Sequence, residues 1–292
     1  MPKSLATGSA VEVPPVTTIG PAPGLPWQER RDWFRARLRQ QPPADISADE
    51  VDSHFITMPA HYWERVTESD LIWSLETIHG FLKLVASAHV PATSPFVGWR
   101  QTPDPGCTQI MLCTWNRHGL LAKAAAAFSA VKLNILQAEV FTRADNVVLD
   151  QFTVSDGDTG GPVSETRLRE MTFLLEGALS EPPRFASVWA CSRHKFLAPP
   201  ARFAPRIAFD NTASPAATLV RIEAADRMGL LYDILQALAD AGLNVNQARI
   251  ETDRDLAHDT VHVTNDRGEK VLDPQHLASI RTTLETALTV NN

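Results

Sequence analysis

The sequence contains the same short motif twice, and this repeat constrains how the chain can fold. Residues 116–121 read NRHGLL and residues 226–231 read DRMGLL, so the two copies lie 110 residues apart. The match continues beyond the motif, in the pairs Leu133 and Leu243, Asn134 and Asn244, Thr142 and Thr252 and, after one deletion, Asp150 and Asp259. Identical residues at a fixed offset indicate a duplicated domain. We therefore expect two homologous units.

Composition limits the classes of partner. The chain has 292 residues, of which 44% are hydrophobic, and a net charge of −7. This is enough for two modest cores, whereas the negative charge disfavours binding to a phosphate backbone. The sequence has no apolar run near the roughly 20 residues of a membrane span, and it starts without a signal-peptide pattern. We therefore expect a cytoplasmic protein that binds neither nucleic acid nor a membrane.

The cysteines give no sign of a disulfide framework or a zinc site. Cys107, Cys113 and Cys191 are odd in number and lack CxxC spacing. We expect all three to be reduced and buried, and we expect neither a metal nor a cofactor.

The sequence divides into a disordered tail (1–25), a helical N-terminal arm (26–95), a first unit (96–195) and a linker strand with the second unit (196–292). The segment from Trp27 to Arg39 predicts a basic helix. This helix either packs on the body of the protein or contacts an anionic membrane or an acidic partner.

Capping signals predict two more helices in the arm. Ser47 is placed to cap a helix that carries His54 and Phe55, and Thr67 with Asp70 resembles a capping box opening a helix from Glu68 to about Ser87. The apolar positions of the longer helix recur at helical spacing, at Leu71, Leu75, Ile78, Leu82 and Val85.

Each unit follows the order strand, helix, strand, strand, helix, strand, which is the ferredoxin-like fold of the α+β class. Gly119 and Gly229 lie where the first strand turns into the helix. The first unit ends in a predicted strand from Phe185 to Cys191, whereas little sequence follows the last helix of the second unit. We expect Ile207 and Phe209 to supply the missing edge strand, and the two units to pair side by side with ligand clefts at their junction.

These patterns resemble a known family. The units look like ACT domains, which are small-molecule-binding regulatory modules. The pattern D-R-x-G-L-L followed by L-N is similar to the tandem ACT domains at the C-terminus of GlnD, the bifunctional uridylyltransferase and uridylyl-removing enzyme of the regulatory protein PII. The resemblance covers roughly residues 45–292 and includes HFITMP at 54–59. Asn116 and His118 depart from the pattern. The resemblance implies a role in nitrogen or amino-acid metabolism, with glutamine as the candidate ligand.

The catalytic domains of that family are not recognisable in this sequence. Asp156-Gly157-Asp158 and Asp253-Arg254-Asp255 have D-x-D spacing, but they fall in predicted turns without the preceding Gly-Ser pair of a nucleotidyltransferase. His258-Asp259 is an HD dipeptide within a predicted strand, so its side chains point to opposite faces. We therefore predict that the chain is not an enzyme.

The repeated motif has the chemistry of an amino-acid site. A glycine turn that enters a helix exposes backbone N–H groups to a carboxylate, while Asn and Asp oxygens accept from an ammonium group. In the second unit we expect Gly229 to meet the ligand carboxylate and Asn244 to orient its ammonium group. The alternative is structural, with glycine serving turn geometry and Asn134 and Asn244 capping a turn. The candidate ligand-binding residues are Asn116, His118, Gly119, Leu120, Asn134, Asp226, Met228, Gly229, Leu230 and Asn244.

The remaining motif residues have structural predictions. We expect Arg117 and Arg227 to face solvent or form salt bridges, and the leucine pairs that follow each glycine to lie in the core.

Three functions remain open from the sequence. The first is a non-catalytic regulatory sensor of an amino acid. The second is an interaction module that assembles a homodimer or binds a partner such as a PII-like protein. The third is a PII uridylyltransferase-type enzyme, which would require an acidic metal site that the sequence lacks.

Overall fold

The structure is a computed structural model that describes residues 21, 24–87, 90–91, 93–102, 106–179, 204–253 and 256–289. Most of the predicted tail and the whole predicted strand from Phe185 to Cys191 lie outside these residues. Among the described helices, none is long and apolar enough to cross a membrane.

The N-terminal arm is helical, as the sequence predicted. Its four helices are α1 (Trp27–Gln40), α2 (Ala48–Thr57), α3 (Ala60–Trp63) and α4 (Glu68–Ala86). Ser47 caps α2 in a capping box with Glu50, and the Thr67 hydroxyl accepts a hydrogen bond from the backbone N–H of Asp70 at the start of α4. These caps satisfy N–H groups that a helix leaves unpaired at its first turn.

The arm packs on one face of the first unit's sheet. Phe34, Trp63 and Leu71 of the arm are buried with Met111 and Leu149 of the sheet in one apolar cluster. The basic helix therefore packs on the body of the protein, because its apolar side enters this core.

One predicted core position of the arm is wrong. Leu82 is exposed, and Phe81 occupies the buried position instead. A helix has 3.6 residues per turn, so a core-facing residue can follow the buried Ile78 after either three or four positions. In α4 the residue three positions later, Phe81, faces the core, and Leu82 lies at the edge of the apolar face.

The two units have the same order of elements. The first contains β1 (Phe96–Gln101), β2 (Thr108–Trp115), α5 (Leu120–Ala130), β3 (Leu133–Thr142), β4 (Val147–Asp156) and α6 (Glu165–Leu179). The second contains β5 (Arg206–Asp210), β6 (Thr218–Ala225), α7 (Leu230–Asp240), β7 (Asn244–Asp253), β8 (Leu256–Thr264) and α8 (Pro274–Thr289).

All eight strands form one antiparallel sheet in the order β1-β2-β4-β3-β7-β8-β6-β5. The units join where β3 pairs with β7, with Ala138 opposite Ile250. This confirms that the units pair side by side within one chain. Helix α5 packs against α7 across the junction, and a continuous apolar core lies between the helices and both halves of the sheet.

Each unit takes its edge strand from the segment that precedes it. β5 contains Ile207 and Phe209 and pairs with β6, which confirms the predicted replacement strand. In the first unit β1 pairs with β2 in the equivalent place. The sequence did not predict β1, and the strand that it predicted after α6 lies outside the described residues. Gly98 and Arg100 interrupt the apolar pattern of β1, so the strand signal there is weak.

The cysteine prediction is only partly confirmed. Cys113 is buried within β2, whereas Cys107 is half-buried because it precedes the strand at the end of the sheet. Cys191 lies outside the described residues.

Candidate functional site

Both glycines of the repeated motif adopt a left-handed backbone conformation directly before a helix. Gly119 has φ 69° and precedes α5, and Gly229 has φ 79° and precedes α7. Residues with a Cβ rarely adopt this conformation, so the turn requires glycine. Within the described structure neither helix receives a side-chain cap at its first turn. The N–H groups there are therefore suitably placed for a carboxylate.

Two clefts lie at the junction, and each contains residues from both units. Cleft 1, an open cleft with a cavity volume of about 40 Å³, is lined by Asn116, Gly119 and Leu120 of the first unit and by Asn244 of the second. Both units of the chain thus contribute candidate residues to cleft 1.

Cleft 2, an open cleft with a cavity volume of about 20 Å³, has the reverse arrangement. Asp226, Met228, Gly229 and Leu230 of the second unit line it together with Asn134 of the first. The two clefts are related by the duplication.

This arrangement corrects one expectation. From the sequence, Gly229 and Asn244 of the same unit were expected to form one site. In the structure Gly229 shares a cleft with Asn134, and Asn244 shares one with Gly119. The antiparallel pairing of β3 with β7 is the cause, because it brings the start of each strand next to the motif of the other unit.

The third residue of each motif, which differs between the two copies, contacts the other unit. His118 Nδ1 lies 3.2 Å from Asn244 Oδ1, and the Asn244 amide also donates to the backbone oxygen of Asn265 at 3.4 Å. Met228 packs on Gly157, where a Cβ would lie only 2.6 Å from the methionine methyl carbon. His118 therefore engages the Asn244 side chain in cleft 1. The Asn134 side chain in cleft 2 has no hydrogen bond to any described residue.

Each motif arginine lines the cleft that contains its own glycine turn, Arg117 in cleft 1 and Arg227 in cleft 2. Arg227 forms a buried salt bridge with Asp233, 2.6 Å apart, as predicted. Arg117 donates to the backbone oxygens of Leu179 and Thr93, at 3.0 and 2.9 Å. Both side chains are thus engaged by other groups of the protein. The leucine pairs Leu120 with Leu121 and Leu230 with Leu231 are buried, which confirms their core role.

Two acidic residues of the clefts were not among the residues predicted from the sequence. Asp150 lines cleft 1 and Asp259 lines cleft 2, with exposed fractions of 0% and 2%. Burial raises the pKa of Asp150 well above its usual range, and a backbone contact from Phe141 offsets only part of this shift. Burial, together with the nearby Asp226, raises the pKa of Asp259 to about 7. Their alignment in the repeat was visible in the sequence, and an acidic residue in an apolar strand was the available signal.

The D-x-D and HD motifs considered for catalysis lie in structural environments, in salt bridges or within a strand. Asp156 pairs with Arg167 at 2.7 Å, and Asp158 pairs with Lys132 at 2.8 Å in the turn after β4. His258 is exposed and Asp259 is buried, on opposite faces of β8, as predicted. Residues 254–255 of the second D-x-D lie outside the described part of the chain. Among the residues that the structure describes, no group of three His, Cys, Asp or Glu side chains could hold a metal ion.

Comparison with known proteins identifies relatives for most of the chain. The family described as ACR9-like, ACT-like domain matches residues 206–291. The bifunctional uridylyltransferase/uridylyl-removing enzyme of Azospirillum brasilense is 29% identical over 84% of this chain and 26% of its own length. The enzyme of the same name from Gluconobacter oxydans is 32% identical over 64% of this chain and 20% of its own length.

The chain thus spans about a quarter of the length of these relatives. Among solved structures, aspartate kinase from Synechocystis aligns over 63% of this chain and 27% of its own, with 17% identity and a TM-score of 0.35, which is a weak likeness. The chain therefore contains an ACT-like domain at residues 206–291 and is related over most of its length to a segment of the bifunctional uridylyltransferase/uridylyl-removing enzymes.

Proposed function

We propose that this protein is a non-catalytic regulatory sensor that binds an amino acid at the junction of its two units, with L-glutamine as the candidate ligand. One observation carries the proposal: each cleft combines an uncapped glycine turn of one unit with the asparagine of the other. Such a turn suits the ligand carboxylate, and the cleft also presents oxygen acceptors to an ammonium group.

Cleft 2 is the main ligand site in this proposal. Its asparagine, Asn134, has a side chain without a hydrogen bond to any described residue, whereas Asn244 in cleft 1 is held by His118. A ligand in cleft 1 must therefore compete with an existing hydrogen bond, which lowers its net gain in free energy.

A ligand that bridges the units favours their paired arrangement over any arrangement that separates them. The arm packs on the sheet of the first unit. A change in how the two units are arranged would therefore alter the surface that the arm presents to a partner. A PII-like protein is the partner class implied by the relatives, and a second copy of the chain is the other.

The proposal excludes nucleotidyl transfer by this chain. Asp156 and Asp158 are engaged by Arg167 and Lys132, which leaves them unsuited to bind catalytic metal ions. Incubation with a PII protein, UTP and Mg²⁺ should leave the PII protein unmodified. Incorporation of labelled UMP would contradict the non-catalytic assignment.

A thermal-shift screen of the twenty amino acids tests the sensor proposal. L-glutamine is expected to raise the melting temperature by several degrees, since a ligand at a hundred times its Kd stabilises by about 2.7 kcal/mol. D-glutamine is the control, because it has the same functional groups as L-glutamine but the opposite configuration at Cα. If none of the amino acids raises the melting temperature, the sensor proposal falls and the interaction module is favoured.

A further inference from the structure

Two buried carboxyl groups occupy equivalent places in the two halves of the sheet. Asp150 lies on β4 between Leu112 of β2 and Val140 of β3. Asp259 lies on β8 between Ile222 of β6 and Ile250 of β7. Each carboxyl group thus has an apolar neighbour on either side and contributes to the wall of one cleft.

These carboxyl groups lack the partners that buried acids normally have. Asp150 has only the weak backbone contact from Phe141, and neither of its oxygens has a hydrogen bond of normal geometry to a described residue. Oδ1 of Asp259 likewise has no hydrogen-bond partner among the described residues. A buried polar group without a partner costs free energy, and an apolar side chain in its place would be more stable. Core packing alone therefore does not account for an aspartate at both positions.

The nearby charged groups do not neutralise them. In cleft 2, Arg227 is held by Asp233, and Asp226 adds negative charge next to Asp259. In cleft 1, Arg117 donates to backbone oxygens. A cationic group from outside the chain is the partner whose charge fits.

We propose that Asp259 in cleft 2, and Asp150 in cleft 1, bind the ammonium group of the amino-acid ligand while the glycine turn binds its carboxylate. This inference rests on the proposed function and deepens it, because it assigns the two ends of the ligand to separate parts of the cleft. A zwitterion satisfies the unpartnered carboxyl group and the uncapped helix turn together.

Binding is then coupled to a proton. Asp259 holds a proton in a substantial fraction of free molecules near neutral pH, because its pKa is about 7. The ligand ammonium favours the ionised carboxylate, so this proton passes to the buffer on binding. Asp226 and the Arg227–Asp233 pair are the charged groups nearest to it in cleft 2, and the strands on either side present isoleucine.

Calorimetry with L-glutamine near pH 7 tests the inference, in two buffers with different enthalpies of ionisation. For the wild type we expect a difference between the buffers that corresponds to proton release. Asp259→Asn should weaken binding by more than about tenfold and abolish the release, since a hydrogen bond to a charged group contributes about 1.5–3 kcal/mol. Asp49→Asn is the control, because Asp49 is exposed in the arm and lines neither cleft, and this variant should retain both the affinity and the proton release.

Two further arms keep the inference falsifiable if the Asp259 variant does not fold. N-acetyl-L-glutamine lacks the ammonium group and should not bind, and wild-type affinity for L-glutamine should rise between about pH 6 and pH 8. Tight binding by folded Asp259→Asn, or binding without proton release, would overturn the inference and leave the sensor proposal standing. No binding of any amino acid to the wild type would overturn both.

Discussion

His118 and Asn244 are 126 residues apart in the sequence, yet they contact each other across the junction of the two units at 3.2 Å. The equivalent pair in the other cleft is Met228 and Asn134. Methionine offers no strong hydrogen bond to an amide. Among the described residues, the asparagine of cleft 1 is therefore engaged, whereas the asparagine of cleft 2 has no side-chain hydrogen bond.

Exchanging these two motif residues should exchange the properties of the clefts. His118→Met releases Asn244, so we expect the number of L-glutamine molecules bound per chain to rise from one towards two. Met228→His should engage Asn134 and weaken binding in cleft 2. Calorimetric stoichiometry measures both changes. An unchanged stoichiometry in His118→Met would show that the histidine does not limit cleft 1.

The buried acid of cleft 2 predicts a pH-dependent stability. The pKa of Asp259 is about 7 in the folded protein against an ordinary value of 3.8. The folded state holds this proton more tightly, so its contribution to stability is fully present below about pH 4 and is lost as the pH rises to about 7. Asp259→Asn should therefore gain about 3 kcal/mol relative to the wild type between about pH 5 and pH 8.

Urea denaturation over this pH range measures the effect. Asp210→Asn is a control of opposite sign when the measurement is extended below about pH 4, because hydrogen bonds from Thr212 and Ala213 hold the pKa of Asp210 at about 2. Parallel stability profiles for wild type and Asp259→Asn would contradict the assigned burial.

The salt bridge behind the second glycine turn should stabilise the second unit. Arg227→Ala removes the buried salt bridge to the Asp233 carboxylate, and the loss of one member of such a pair typically costs about 3 kcal/mol. Arg206→Ala is the control, since that arginine is 84% exposed and its pair with Glu223 should contribute less than about 1 kcal/mol. Chemical denaturation compares the two, and equal losses would show that the buried pair is not special.

The arm should behave as part of the folded first unit. Trp63 is buried and stacks on Phe55 with ring centroids 4.7 Å apart, so Trp63→Ala should destabilise the protein by about 3–5 kcal/mol. The neighbouring Ile56 is 75% exposed, and Ile56→Ala should change the free energy of unfolding by less than about 0.5 kcal/mol. If Trp63→Ala melts the arm in a separate transition, the arm and the unit are independent.

The sequence was sufficient for what depends on local patterns. The repeat at a fixed offset predicted two units, and the glycine before each leucine pair predicted the strand-to-helix turns. The caps at Ser47 and Thr67 predicted where α2 and α4 begin. These features depend on neighbouring residues, so the pattern contains the information that determines them.

The composition of the site depends on contacts between distant strands. Whether Gly229 meets Asn244 or Asn134 is decided by the pairing of β3 with β7, and a sequence pattern does not specify which edges of two sheets join. The role of Asp259 was missed for a related reason. Its burial requires both neighbouring strands and the covering helices, whereas its sequence context shows only an HD dipeptide within a strand.

The central claim is that an amino acid binds between the two units. Calorimetry of L-glutamine binding to folded Asn134→Ala and Asn244→Ala, run in parallel, tests it most directly. We expect Asn134→Ala to weaken binding by about 10- to 150-fold, as the loss of one hydrogen bond to a charged group predicts, and Asn244→Ala to bind as the wild type does. The reverse pattern, or undiminished binding by Asn134→Ala, would contradict a site shared by the glycine turn of the second unit and the asparagine of the first.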